Sequence, residues 1–194
     1  HAELLVPQKD LEQYLDEDGN SIFEETPHPG GHYRKQDKPR AAYAAMVSKL
    51  DRDVGRVLDL LKEQGLDENT YVFFTSDNGP HTAGGHDFRY FDGNGPLRGF
   101  KRDLYEGGIR VPMIAWAPGK VPQGNVSDVV WAFWDVVPTF SDMVGAKPPR
   151  ENDGMSFKQT IHGELQYQLH AYLYWEHCVG WSKEPKKLSQ AIRA

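Results

Sequence analysis

Two oxygen-bearing side chains follow directly after an apolar segment in the middle of the chain. Asp77 and Asn78 come after Tyr71–Thr75, whose aromatic and β-branched residues predict a buried strand. Ligands in open α/β sheets gather outside the carboxyl ends of strands, and carboxylate and amide oxygens suit a hard cation. The alternative is an Asx turn leading into Gly79-Pro80. Calcium prefers about six to eight oxygens, so further ligands are expected from elsewhere, including from outside this chain.

A second group of candidate residues is cationic and lies in a glycine-rich segment. Lys101 stands in GPLRGFKRDLYEGGIR, and glycine is typical of places where the backbone must approach another group closely. A lysine at such a place would bring positive charge to an anionic substrate, although most lysines are only surface residues. Glu106 is expected to pair with Arg98 or Arg110 and so to hold the loop rather than to take part in the chemistry.

The histidines and the cysteine give weaker signals. His28, His32, His81 and His86 all lie in predicted loops, where a lone histidine is usually solvated. The single cysteine, Cys178, leaves no internal disulfide framework. We interpret it as a small packed residue rather than as a catalytic thiol.

Composition and charge argue against several classes of function. The net charge is −6 and the chain has no basic run, so we expect no general affinity for nucleic acid or for an anionic membrane. No stretch approaches the roughly 20 apolar residues of a membrane span. At 194 residues the chain is long enough for one domain with a hydrophobic core.

Helical and strand patterns alternate along the chain, which is typical of an α/β fold. The longest helix is predicted over Ala41–Gln64, with an apolar stripe at three- and four-residue steps and Gly65 as a stop signal. The other predicted elements are, in chain order, a helical turn after Pro7, a polar loop over Asp16–Arg40, strands at Tyr71–Thr75 and Gly108–Ala117, a helix within Val129–Val144 that is interrupted or begins near Pro138, and a strand at Tyr172–Trp175.

Three segments in this order resemble the second half of the catalytic domain of the sulfatases, in the alkaline phosphatase superfamily. They are the strand followed by TSDNGP, then GPLRGFKRDLYEGGIRVPMIAWAPG, then the WDVVPT helix. HAELLVP at the start and YLYWE near the end resemble further family segments. The resemblance implies a partial α/β alkaline phosphatase/sulfatase-like three-layer sandwich. It also implies that residues 1–160 are the C-terminal half of the catalytic domain and that 161–194 begin a small C-terminal region.

The resemblance also implies roles for individual residues. Asp77 and Asn78 match two ligands of a calcium site. Lys101 matches a lysine that contacts the sulfate and the leaving-group oxygen. His1 matches a histidine that hydrogen-bonds the sulfate ester and helps to protonate the departing alcohol, and His86, in GGHDF, is a candidate contact for substrate specificity. The family's nucleophile is a formylglycine made from the Cys or Ser of a C/S-x-P-S/A-R motif; these residues contain none, so it is expected outside this chain, which alone is expected to be inactive.

The expected function is therefore that of a calcium-dependent, arylsulfatase-like sulfuric ester hydrolase acting on sulfate esters of carbohydrates or aryl alcohols. Two alternatives stay open: a phosphate or phosphonate ester hydrolase of the same superfamily, and a non-catalytic binding fragment. The family implies a periplasmic, secreted or lysosomal location. Half of a sheet would expose apolar surface, so association with a partner fragment or between copies is also expected.

Overall fold

The computed structural model describes residues 3–168, 170–179 and 187–194, which fall into two compact units. The first unit contains the chain up to Leu66 together with Ser76–Val111, and the second contains Asp67–Thr75 and Pro112–Ala194. The helices of the first unit are α1 (Gln8–Leu11), α2 (Pro39–Glu63) and the single turn α3 (Glu106–Ile109). The second unit contains strands β1 (Val72–Thr75), β2 (Met113–Trp116), β3 (Leu173–Val179) and β4 (Lys187–Arg193), with helices α4 (Val136–Met143) and α5 (Lys158–Ile161).

The long helix α2 confirms the prediction, and its start has a clear physical cause. Pro39 occupies the first turn, where its missing N–H removes no helical hydrogen bond. The carboxylate of Glu25 accepts hydrogen bonds from the backbone N–H groups of Arg40 and Ala41, both at 2.9 Å. This carboxylate satisfies two of the free N–H groups at the helix start and carries the charge that the helix dipole favours there.

Helix α2 is buried most deeply at its N-terminal end. Ala41, Ala42 and Ala45 are fully buried. Further along, Val47 and Val57 expose 47% and 54% of their surface. Among the described residues, Val47 and Val57 are therefore only partly covered.

Strands β1 and β2 form a two-stranded antiparallel sheet in the second unit, with Phe74 opposite Ile114. The prediction that β1 is a buried strand is wrong, because Phe74 is 41% exposed and the rest of β1 is half-buried. One face of the sheet is packed: Phe73 contacts Phe140 of α4, with ring centroids 5.1 Å apart. The opposite face, which carries Phe74 and Ile114, has little cover among the described residues.

The other predicted elements are present with altered bounds. The predicted strand over Gly108–Ala117 contains the helical turn α3 and then the shorter β2. The predicted helix over Val129–Val144 begins at Val136, after a 3₁₀ turn at Phe133–Asp135, and Pro138 lies within its first turn, where proline is tolerated. The strand predicted at Tyr172–Trp175 is confirmed as part of β3, which pairs with β4. Among the described helices, none has the length and apolar character needed to cross a membrane.

Candidate active site

Two backbone hydrogen bonds join the Asp77-Asn78 turn to the Lys101 loop within the first unit. The N–H of Gly79 donates to the carbonyl oxygen of Gly108 at 3.0 Å, and the N–H of Lys101 donates to the carbonyl oxygen of Pro80 at 2.7 Å. The turn that carries Asp77 and Asn78 therefore lies beside the loop that carries Lys101, although the two segments are separate in sequence.

Glycines make this close approach sterically feasible. A Cβ atom on Gly79 would lie 1.8 Å from the carbonyl oxygen of Gly107. On Gly107 it would lie 2.2 Å from the carbonyl oxygen of Gly99, and on Gly108 it would lie 2.2 Å from that of Asp103. Each distance is far inside van der Waals contact and each contact atom is backbone, so no side-chain movement relieves it. The glycine-rich sequence of this region is explained by backbone packed on backbone.

The Lys101 loop is held by side chains that the sequence analysis did not single out. The amide of Asn94 donates to the carbonyl oxygens of Leu97 and Gly99, at 3.0 and 2.7 Å. The carboxylate of Asp103 accepts from the N–H of Phe100 at 3.1 Å. Asn94 precedes a glycine, and this Asn-Gly pair was a turn signal available in the sequence.

Arg102 adopts a backbone conformation that non-glycine residues seldom occupy. Its φ angle is +83°, in a region that costs a side-chain-bearing residue on the order of 1–3 kcal/mol. Such strain persists only where the surroundings determine the conformation, and here the hydrogen bond of its neighbour Lys101 to Pro80 supplies one such constraint.

The fold leaves the three predicted functional groups free of other described residues. The Asp77 carboxylate, the Asn78 amide and the Lys101 ammonium form no side-chain hydrogen bond or ion pair within the part of the chain that the structure describes. Other charged groups nearby are engaged. Glu106 pairs with Arg110 at 3.6 Å, which is one of the two pairings predicted from the sequence. The guanidinium of Arg98 lies 3.8 Å from the ring centroid of Tyr105.

His86 is buried rather than solvated. Only 7% of its surface is exposed, and its ring centroid lies 4.1 Å from that of Tyr43 and 5.3 Å from that of His81. Burial lowers the pKa of His86 to about 4, because a charged imidazole loses its hydration there. Burial also lowers the pKa of His81, and the positive charges of Lys101 and Arg102 lower it further.

The Asp77-Asn78 turn offers a hard cation two unpartnered oxygen ligands, which fits the chemistry of calcium. Within the described ranges no group of three or more His, Cys, Asp or Glu residues is arranged to hold a metal ion, so a complete shell needs further ligands. The predicted substrate histidine, His1, lies outside the described residues.

Solved structures identify the class of fold. The chain superposes on Ps i-CgsB with a TM-score of 0.71 and 27% sequence identity, over 100% of this chain and 37% of the other. It superposes on a phosphonate monoester hydrolase from Silicibacter pomeroyi with a TM-score of 0.60 and 22% identity, over 94% of this chain and 35% of the other. The fold is thus part of the α/β architecture of the alkaline phosphatase superfamily. The sulfatase family model matches residues 8–146, and the chain belongs to the sulfatase family.

Curated relatives agree with this membership. The chain is 36% identical over 132 residues to N-acetylgalactosamine-6-sulfatase of Canis lupus familiaris, covering 64% of this chain and 24% of that protein. It is 36% identical over 137 residues to steryl-sulfatase of Mus musculus, covering 69% and 22%, and 39% identical over 140 residues to a sulfatase of Formosa agariphila, covering 66% and 24%. The chain therefore spans about a quarter of the length of these relatives.

Proposed function

We propose that the protein to which this chain belongs is a calcium-dependent sulfatase that hydrolyses sulfate esters of carbohydrates or aryl alcohols. The observation that carries the proposal is the pair of backbone hydrogen bonds that places the Lys101 loop beside the Asp77-Asn78 turn. A cation site and a free ammonium on adjacent segments suit an anionic ester.

Lys101 is proposed to act on the leaving group. As the S–O bond of a sulfate ester breaks, negative charge moves onto the bridging oxygen. A positioned ammonium at that oxygen stabilises charge that appears only in the transition state, which lowers the barrier instead of only tightening binding. His1 is proposed to protonate the departing alcohol, a role for which an imidazole is suited near neutral pH.

Asp77 and Asn78 are proposed to hold Ca²⁺, which when bound would polarise the nonbridging oxygens of the ester. The formylglycine nucleophile that such a sulfatase uses is proposed to lie outside this chain. His86 is proposed as a contact to the substrate. Because burial keeps its imidazole neutral, it would serve as a hydrogen-bonding group and not as a cation.

Carbohydrate sulfate esters are the favoured substrates. Ps i-CgsB was solved in complex with k-i-k-neocarrahexaose. A second neighbour, with a TM-score of 0.63 and 25% identity, covers 80% of this chain and was solved with its substrate D-glucosamine-2-N,6-O-disulfate. We further propose a secreted, periplasmic or lysosomal location. A small C-terminal region is proposed to begin after a boundary near residue 160. The uncovered face of the β1–β2 sheet is proposed to mediate association.

The test compares three esters of one fluorescent alcohol, 4-methylumbelliferyl sulfate, phosphate and phenylphosphonate, with the full-length protein. We expect the sulfate to be hydrolysed fastest and EGTA to abolish turnover in a way that added Ca²⁺ restores. Lys101→Ala should lower kcat by about 10²–10³-fold. Faster turnover of the phosphonate would assign the protein to the phosphonate hydrolases. No turnover of these esters together with no sulfate release from a sulfated oligosaccharide would favour a binding role.

The matched control is Lys62→Ala. Lys62 lies on the exposed part of α2, with only a loose ion pair to Asp59 at 3.9 Å, so this variant should keep wild-type turnover. Both variants should unfold at the wild-type temperature. Near-wild-type turnover of Lys101→Ala contradicts the role proposed for this lysine.

A further inference from the structure

His81 lies in the candidate active site, but the proposed function gives it no role. It comes three residues after Asn78, beyond the turn that carries Asp77 and Asn78. Its neighbour Pro80 accepts, through its carbonyl oxygen, the 2.7 Å hydrogen bond from the N–H of Lys101. The backbone of His81 therefore lies beside the Lys101 loop, within the first unit.

Two contacts hold the imidazole ring of His81 in place. Its Nδ1 accepts a hydrogen bond from the backbone N–H of Ala83 at 3.0 Å. The ring also contacts that of the buried His86, with centroids 5.3 Å apart, and His86 in turn packs on the ring of Tyr43 at 4.1 Å. The imidazole is therefore oriented before any ligand binds, which lowers the entropy cost of using it as a binding group.

The hydrogen bond from Ala83 also determines which nitrogen of His81 carries the proton. A ring nitrogen that accepts a hydrogen bond uses a free lone pair, so the neutral imidazole has its N–H at Nε2. Burial lowers the pKa of His81, and the positive charges of Lys101 and Arg102 lower it further, so the ring is neutral at physiological pH. His81 therefore presents a fixed N–H donor and not a cation.

The Nε2 donor of His81 has no acceptor among the described residues, and it is open to solvent. In the part of the chain that the structure describes, the unpartnered side-chain atoms that have lost contact with solvent belong to Asp10 and His28. The half-buried His81 is not one of these residues, so a ligand can reach its Nε2.

The surroundings of this donor favour an anionic acceptor. The ammonium of Lys101 and the guanidinium of Arg102 form no side-chain hydrogen bond or ion pair within the described ranges, and both act electrostatically on the His81 ring. Two positive charges without a partner attract an anion to this place. A hydrogen bond from a neutral N–H to a charged oxygen is also stronger than one to a hydroxyl.

We propose that His81 binds the substrate by donating a hydrogen bond from Nε2 to a nonbridging oxygen of the sulfate group beside Lys101. The proposal rests on the proposed function, because it takes the sulfate ester as the anion. The contact would form when the ester binds and persist in the transition state, so it would lower KM more than it raises kcat. The competing role for His81 is structural: Nδ1 accepts from Ala83 and stabilises the loop, and Nε2 stays in water.

Nitrogen NMR of the full-length protein tests this donor without turnover, since the nitrogen chemical shifts of an imidazole distinguish the protonated from the unprotonated position. We expect His81 to carry its proton on Nε2, and we expect inorganic sulfate to shift that Nε2 signal. The signals of His32, an exposed histidine of the same unit, should not move. A proton on Nδ1 of His81, or an Nε2 signal that sulfate leaves unchanged, would overturn the proposal.

Two substitutions separate the substrate role from the structural one, because each replaces one ring nitrogen. The amide nitrogen of glutamine lies near the position of Nε2 and donates, whereas the amide oxygen of asparagine lies near the position of Nδ1 and accepts. We expect His81→Gln to keep most of the kcat/KM for 4-methylumbelliferyl sulfate and most of the affinity for inorganic sulfate. His81→Asn should lose about 10–100-fold in both, with kcat/KM falling mainly through KM, the size of one hydrogen bond to a charged group.

A structural role predicts the reverse order, since asparagine keeps the hydrogen bond from Ala83 and glutamine does not. His32→Asn is the matched control and should behave as the wild type does in both measurements. Thermal unfolding shows whether each variant is folded, and the NMR titration of the wild type stays decisive if one of them is not. Equal losses in the two His81 variants, or a larger loss in His81→Gln, would overturn the proposal.

The proposed function and the role of His81 fail in different ways. If no sulfate ester is hydrolysed, the sulfatase function is contradicted, while the NMR titration with inorganic sulfate still tests His81 as an anion-binding donor. If the esters are hydrolysed but His81→Asn keeps the wild-type KM, only the role of His81 is contradicted. A loss confined to carbohydrate sulfates would assign the donor to a sugar hydroxyl, which 4-methylumbelliferyl sulfate lacks, and would also overturn the proposal.

Discussion

At the level of single residues, the two aspartates Asp77 and Asp135 have opposite surroundings. Asp77 is exposed and has no partner among the described residues. Asp135 is fully buried and accepts hydrogen bonds from the N–H groups of Ala132 and Met155, both at 2.8 Å, and contacts His170 Nε2 at 2.7 Å. A carboxylate that accepts several hydrogen bonds from the protein stabilises the fold, whereas a carboxylate without such partners remains available to a ligand. This difference is the physical reason for proposing a ligand site at Asp77 and a structural role for Asp135.

Asp135 should therefore be a major determinant of stability in the second unit. Asp135→Ala leaves two backbone N–H groups and the partly buried imidazole of His170 without their fully buried acceptor, and we expect a loss of about 3 kcal/mol or more in the free energy of unfolding. Asp142→Ala, which removes an exposed pairing to Lys158 at 3.2 Å, should cost about 1 kcal/mol or less. Urea unfolding measures both. Equal losses for the two variants would contradict the structural role of Asp135.

His86 should stay neutral through the physiological range. Its folded-state pKa of about 4 lies below the ordinary value of 6.5, so the unfolded chain binds a proton more readily than the folded one. The contribution of this group to stability is complete above pH 6.5 and is lost as the pH falls from 6.5 toward 4. NMR titration of the imidazole should give a midpoint near 4. The stability difference between wild type and His86→Asn should narrow from pH 7 to pH 5, and a midpoint near 6.5 would refute this.

At the level of elements, the same residue type has different uses in the helix and in the site. Gly55 lies within α2 and a Cβ there would meet nothing within 4 Å. Gly79 lies at the turn that joins the Lys101 loop, and its Cβ would collide with backbone. Neither residue has a positive φ angle, so the two glycines differ only in the room that their surroundings leave for a Cβ atom.

Alanine substitutions at these two glycines should accordingly have opposite effects. Gly55→Ala should raise the free energy of unfolding by about 0.5–1 kcal/mol, because alanine is the better helix former. Gly79→Ala should lower it by at least about 1–3 kcal/mol, as overpacking does, and should reduce turnover of the full-length enzyme by displacing Lys101. Thermal unfolding and kcat are the measurements. Unchanged stability of Gly79→Ala would show that the close approach to Gly107 is absent.

The elements were predictable where a local pattern determines them. Helix α2 was predicted because a 3.6-residue periodicity and its flanking signals act within the helix itself. The exposure of β1 was not predicted, because it depends on which other segments cover Phe74, and the sequence of the strand itself does not encode this. Asn94 was missed for the related reason that its partner, the carbonyl group of Gly99, is brought to it only by the folded chain.

At the scale of the whole molecule, apolar surface is left uncovered in both units. In the first unit it lies on α2, at Val47 and Val57, and in the second it lies on the β1–β2 sheet. Phe74 and Ile114 are directly opposite each other in that sheet, so their side chains share one face. Ile114 is 60% exposed, and a sheet face of this kind tends to associate.

The 194-residue chain on its own should therefore self-associate. We expect sedimentation velocity to give dimers or larger species whose proportion rises with concentration. Ile114→Lys should shift them toward monomer, because a charge on the uncovered sheet face is costly to bury. Val126→Lys is the control: Val126 is even more exposed but lies in a loop outside the sheet, so its substitution should leave the distribution unchanged. A monomeric wild-type chain at all concentrations, or an equal effect of both substitutions, would show that the sheet face does not drive association.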